Sequence, residues 1–231
     1  AACLAKGETV LTNCAIEPEI KDLVNFLNNM GCKIKWISKR RVKILGVSKL
    51  KETKYTIMPD RIEAVTYLIA AVLTQGNLVI KGINHRIIKN ELDILKKIGA
   101  KIKLKKNVIY IKGSKKIRSI NLSTAPYPGF PTDLQAQMMV LLCKANKKSI
   151  ISEKIFENRF MHVSELNRMG AKIKIKGNNA IIEGNINFES AELMATDLRA
   201  SVSLILAALT CKGKSTINRI YHLDRGYEDI D

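Results

Sequence analysis

Residues 124–137 read TAPYPGFPTDLQAQ, and three of the chain's five prolines, Pro126, Pro128 and Pro131, lead up to one carboxylate, Asp133. Proline fixes its own φ and biases the preceding residue towards extended backbone, so this approach delivers Asp133 to a defined place. Two chemistries suit an acid there. It caps the apolar helix that follows, or it stands as a carboxylate placed to take a proton. A second pattern couples acids to arginines: Arg61, Arg199 and Arg225 follow Asp60, Asp197 and Asp224 at or near expected segment starts. A cation in a helix's first turn opposes the macrodipole by roughly 0.3–1 kcal/mol. The pairs therefore either close their units as Asp–Arg contacts, or gather helix N-termini and arginines around one anionic ligand.

The elements that must position these groups come from a repeat. One unit runs from Asp60 to Gly113, the next from Thr132 to Gly184, and a third starts at TDLRAS, from Thr196. An earlier unit, lacking its head, precedes them. Glycines after the second helices, Gly31, Gly99 and Gly170, lie 68 and 71 residues apart. That spacing exceeds a solenoid repeat of about 20–50 residues, so each unit is a small subdomain. The order within a unit is an apolar helix opened by Asp, a short β-branched strand, a second amphipathic helix, and two alternating strands. In the third unit Leu198, Val202, Ile205 and Leu209 share one helical face. The strands pair across their polar turn or with neighbouring units. The fold class is α/β, with α-β-α-β-β units packed round shared helices. The break in periodicity at ETKYTIMPD, residues 52–60, marks a domain boundary near Pro59.

Composition removes several function classes. The net charge is +18, from 39 Lys+Arg against 21 Asp+Glu. The lysines alternate with apolar residues in KIKLKK (101–106) and KIKIK (172–176), as in strands with one wet face, and aromatics are 5% of residues. That pattern argues against a nucleic-acid partner and suits an anionic small molecule. No apolar run is long enough to span a membrane; Ser201–Cys211 suits a buried helix. Cys3, Cys14, Cys32, Cys143 and Cys211 are odd in number and lack C-x-x-C spacing, which reads as reduced thiols in a cytosolic compartment. His85, His162 and His222 are scattered, so metal ligation is not expected. CKGKST (211–216) has Ala208 where a phosphate-binding loop needs its first glycine. AACLAKGETV reads as helix interior, so the expectation is a chain beginning inside a larger protein.

At APYPGFPTDLQAQ, FENRFMH, ATDLRAS and IYHLDRGYE the sequence resembles the enolpyruvyl transferase family, in its UDP-N-acetylglucosamine 1-carboxyvinyltransferase branch rather than its shikimate-pathway sister. The resemblance extends from Ala1 to Asp231. It implies an inside-out α/β barrel of such units, incomplete at both ends. Residues 1–58 would be the last unit of a first domain, truncated at its start. Residues 59–231 would be a second domain, with two full units and part of a third. The implied reaction joins phosphoenolpyruvate to the 3-hydroxyl of UDP-N-acetylglucosamine and releases phosphate, through addition then elimination. It is the first committed step of peptidoglycan precursor synthesis, in the cytoplasm, with no metal or organic cofactor.

A proton must leave the hydroxyl while another reaches the enol methylene carbon, so two acid–base groups are required. By resemblance Asp133 is the sugar-binding residue and candidate general base. Ile155, just before Phe156, matches a backbone sugar-nucleotide contact. Arg225 matches an arginine on the phosphoenolpyruvate side, while Arg199, Arg159 and Arg61 match cleft positions that balance anionic charge. The family's Lys-Asn pair and acid cysteine fall before the position matching Ala1, and none of the five cysteines corresponds to that cysteine. The implied partner is the missing N-terminal part of the same enzyme, and the 231 residues alone are expected to be inactive. The competing reading is a non-catalytic remnant or a nucleotide-sugar-binding module.

Overall fold

The computed structural model describes residues 1–228 and 230. It divides into two compact units, Ala1–Pro59 with Pro126–Pro128, and Asp60–Ala125 with Gly129–Asp231.

In the first unit, helix α1 (Pro18–Asn29) is followed by strands β2 (Lys33–Ser38) and β3 (Arg41–Leu45). Pro18 suits the first helical turn, where its missing N–H costs nothing. The opening residues do not continue a helix. Ala2–Leu4 is a 3-10 turn, and Glu8–Thr12 is strand β1, paired antiparallel with β3 in a sheet of order β1-β3-β2. Backbone pairing along β3 and a Lys43–Glu8 ion pair of 2.7 Å outweigh the local helical pattern of so short a segment. Cys32, Ile34, Val42 and Ile44 form a small core beneath this sheet.

The second unit repeats the plan. Helix α2 (Arg61–Leu73) leads to β4 (Asn77–Lys81), α3 (Lys89–Ile98), β5 (Lys101–Lys105) and β6 (Val108–Lys112), in an antiparallel sheet of order β4-β6-β5. Strand β7 (Asn121–Ser123) precedes α4 (Gln135–Cys143), which leads to β8 (Ser149–Ser152), α5 (His162–Arg168), β9 (Ile173–Lys176) and β10 (Asn179–Ile182). That sheet has the order β7-β8-β10-β9, with β7 parallel to β8. Finally β11 (Glu192–Met194), α6 (Leu198–Ala208) and β12 (Thr216–Asn218) form a parallel pair spanned by a helix. The alternating strands pair across their polar turns, as one of the two expected modes has it, while β7 and β11, which lie between the sequence repeats, add parallel pairs across an apolar helix that the repeat pattern does not anticipate.

The layering follows from helix composition. Every residue of α4 is buried, and α2 and α6 are nearly so, because a helix apolar on all sides needs cover on all sides. These three helices pack together, α4 against both others. The lysines of β5 and β9 stay exposed on the wet faces. On α6, Leu198, Val202 and Ile205 pack with Leu223 and Tyr227, whereas Leu209 lies beyond the helix and is exposed.

Second-helix ends are closed by one device. Gly31, Gly99 and Gly170 have φ of +96°, +124° and +88°, which only glycine adopts readily. Asn28 and Asn167 then each exchange two hydrogen bonds with the backbone of the strand six residues on, at Ile34 and Ile173. The repeat is thus physical as well as sequential.

Candidate active site

Asp133 is not a helix cap. It lies in a 3-10 turn, Thr132–Leu134, and neither that turn nor α4 receives a side-chain cap. Asp60 and Asp197, by contrast, are caps: Asp60 accepts from the Ile62 and Glu63 amides, and Asp197 from those of Arg199 and Ala200. The extended residue Pro131 precedes the turn, and Ala125 N–H donates to Phe130 O (2.9 Å), so the loop's ends are tied together.

Freed from capping, the Asp133 carboxylate faces two arginines. Arg159 Nη2 donates to Oδ1 at 2.8 Å, and Arg199 Nε lies 3.8 Å from the same oxygen. Oδ2 accepts no hydrogen bond among the described residues. These groups border a cleft of about 440 Å³, also lined by Phe156, Glu157, Met161 and His162. Two arginines, the Asp133 carboxylate with an oxygen open to a hydrogen bond and an exposed apolar rim (Phe156 56% and Met161 61% exposed) suit a ligand that is anionic beside the arginines and carries a hydroxyl beside Asp133. The cleft's other acids are Glu157 and Asp197, the latter engaged as a helix cap. Arg159 also stacks over Phe156, 5.0 Å from the ring centroid, which holds its plane.

The other expected residues divide. Ile155 is adjacent but its amide points inward, donating to Glu153 Oε1 at 2.9 Å. Arg61 is 5% exposed and turns to Glu91, with Nη1 4.0 Å from Oε1; burial holds the Glu91 carboxyl above its usual range. Arg225 is exposed at the end of the 3-10 turn Ile220–Arg225, not at a segment start, and does not line this cleft. The acid–arginine pattern therefore has three different outcomes, of which only that of Arg199 reaches Asp133.

Two residues escaped the sequence reading. His162 lines the cleft yet is buried, and burial pulls its pKa down to about 4, with Arg159 reinforcing and Asp197 opposing. Its Nε2 has no partner among the described residues. The imidazole is neutral at pH 7. Glu153, 1% exposed, lies directly beneath the cleft wall. The acidic residue between a β-branched strand and FEN was the only signal available. Cys143 is buried within α4, and burial pushes its thiol up to about 12, so it is no proton donor to this cleft.

The sequence signature described as EPSP synthase (3-phosphoshikimate 1-carboxyvinyltransferase) matches residues 1–231. The chain belongs to the EPSP synthase family. Within that family it is 77% identical over 231 residues to UDP-N-acetylglucosamine 1-carboxyvinyltransferase of Pelagibacter ubique (strain HTCC1062), and 51% identical to that of Rickettsia bellii (strain OSU 85-389). All of this chain is covered in both, but 55% of each relative, so the chain spans about half the length of the curated relatives it matches. The structure is similar to that of the enolpyruvyl transferase NikO from Streptomyces tendae, with TM-score 0.88, 27% identity, 98% of this chain and 54% of that one. EPSP synthase from Acinetobacter baumannii has the same fold, with TM-score 0.71 and 21% identity over 98% of this chain and 56% of that one. The α/β class and repeated-unit architecture are thus those of enolpyruvyl transferases, although no sheet closes on itself among the described residues.

Proposed function

We propose that this chain is the C-terminal part of a UDP-N-acetylglucosamine 1-carboxyvinyltransferase, and that Asp133 is its general base. The supporting observation is the Asp133 carboxylate itself, excused from capping, held through Oδ1 by two arginines, with Oδ2 open to a hydrogen bond. In the reaction, Asp133 takes the proton of the sugar 3-hydroxyl as its oxygen bonds to C2 of phosphoenolpyruvate and a proton reaches C3. Loss of a C3 proton then expels phosphate and restores the double bond. A base in hydrogen-bond reach with an open lone pair is what the first step needs. Arg159 and Arg199 hold the base and offset ligand charge, and Phe156 and the Ile155 backbone border the sugar nucleotide. Arg225 is assigned to the phosphoenolpyruvate side, whereas Arg61, buried against Glu91, supports the fold behind it. No metal or organic cofactor enters this scheme.

Residues 1–58 are assigned to the last unit of a first domain and 59–231 to the second. The acid that protonates C3 is assigned to the N-terminal part of the enzyme, so the 231 residues alone should not turn over. The reaction would supply peptidoglycan precursors in the cytoplasm, and through them serve cell shape and division.

The test is phosphate release by the full-length protein with both substrates. Asp133→Asn should lower kcat about 10²–10⁴-fold with the fold intact, the usual contribution of a general base. A variant keeping more than about a tenth of kcat contradicts the role. Binding of the sugar nucleotide by a full-length parent that never releases phosphate would favour a non-catalytic module.

A further inference from the structure

Glu153 follows β8, and its side chain is a buried hub. Oε1 accepts from Thr124 Oγ1 (2.7 Å), Ile155 N (2.9 Å) and Phe156 N (3.2 Å), and Oε2 accepts from Thr132 Oγ1 (2.8 Å). An ionised carboxylate only accepts, and four donors converging on one 1% exposed group offset the cost of burying its charge. Two of the donors come from the segments flanking the proline loop, Thr124 and Thr132; the other two are the turn leading into FEN.

The direction of the chain of bonds matters. Arg159 Nη1 donates to Thr132 Oγ1 at 2.9 Å, and a guanidinium cannot accept. Thr132 has one hydroxyl proton, and it goes to Glu153. The sequence therefore runs Arg159 to Thr132 to Glu153, while the other arm of Arg159 holds Asp133 Oδ1. Replacing the carboxylate by an amide of the same shape puts a donor where Thr132 now donates. The hydroxyl must then turn, and its bond with Arg159 is contested.

We propose that Glu153 is a positioning residue for the transfer reaction: through Thr132 it fixes the Arg159 fork and thus the Asp133 carboxylate, and through Oε1 it fixes the Ile155–Phe156 wall of the cleft. The proposal rests on the reading of Asp133 as general base. Glu153 itself does not line the cleft; its effect passes through Arg159 and through the Ile155–Phe156 turn.

The experiment compares, in the full-length protein, the parent with Asp133→Asn, Glu153→Gln, Thr132→Val, Thr132→Ser and the Glu153→Gln/Thr132→Val double variant. Glu153→Gln and Thr132→Val should each lower kcat and kcat/KM together by about 10- to 100-fold, the span for a lost hydrogen bond to a charged group. The double variant should be no slower than the worse single, because both break one relay. Thr132→Ser, which keeps the hydroxyl, should recover most of the loss. In arginine-labelled protein the Arg159 guanidinium resonance should broaden or move in Glu153→Gln and Thr132→Val and return in Thr132→Ser. Multiplying penalties, or an unaltered kcat with only a lower Tm, would overturn the proposal. If Asp133→Asn is as active as the parent, the base assignment falls instead. A parent without turnover removes the transferase reading, and an Arg159 resonance unchanged in both variants then removes the relay as well.

Discussion

His162 supplies a test that needs no substrate. Its folded-state pKa is about 4 against an ordinary 6.5, because burial disfavours the imidazolium and Arg159 adds to that, while Asp197 pulls the other way. A depressed histidine pKa means that the unfolded chain takes up the proton first. The stabilisation is therefore whole above pH 6.5 and is lost as pH falls from there towards 4. At pH 5 the unfolded chain gains about thirtyfold over the native state from this one group, or about 2 kcal/mol. At pH 7.5 the loss is close to nothing. For a protein of this length about 2 kcal/mol corresponds to a fall in Tm of roughly 4–8 °C. The perturbation is His162→Gln, which keeps a polar side chain but removes the titration. Other groups confuse a single profile: burial raises the Glu91 carboxyl, whose contribution is present at low pH and lost as pH rises through its folded pKa. The difference between parent and variant cancels such groups. The assay is urea unfolding followed by far-ultraviolet circular dichroism, a signal dominated by helices α1–α6, most of which lie in the second unit. Between pH 7.5 and 5 the parent should lose about 2 kcal/mol more than His162→Gln, whatever the variant costs at neutral pH. Equal losses would refute a neutral buried His162, as would an imidazole titration near 6.5 by NMR.

Arg225→Lys in the full-length protein should raise KM for phosphoenolpyruvate several-fold to about a hundredfold and affect the nucleotide sugar far less, since lysine lacks the paired donors; equal effects on both substrates would mean that Arg225 only supports the fold. Gly184→Ala should lower stability by roughly 1–3 kcal/mol, because its Cβ would run into the carbonyl oxygens of Ala145 and Lys147 after α4. Thermal unfolding measures this, and an unchanged Tm would show that the chain relaxes there freely.

What the sequence determined by itself was local or periodic. The repeat, the apolar helices that end up enclosed, the glycine closures and the capping roles open to Asp60 and Asp197 all depend on residues within about one turn of one another, or on a period of 3.6 or 2. Those interactions follow the chain wherever it goes. Tertiary structure alone decided the rest. Asp133 resembles Asp60 and Asp197 in sequence, yet it forgoes capping because Arg159, 26 residues on, reaches its carboxylate. Arg61 and Arg199 both stand in the first turn of an apolar helix capped by aspartate, but Glu91 draws one inward while Asp133 faces the other. The first ten residues look helical, yet only a 3-10 turn forms at Ala2–Leu4 and the chain from Glu8 becomes a strand, because β3 offers it an edge to pair with. Glu153 and His162 look like surface residues until the loops from Thr124 and Thr132 and the start of α5 bury them. A charge or proton site depends on which groups arrive from elsewhere in the chain, and pattern along the chain carries no record of those distances.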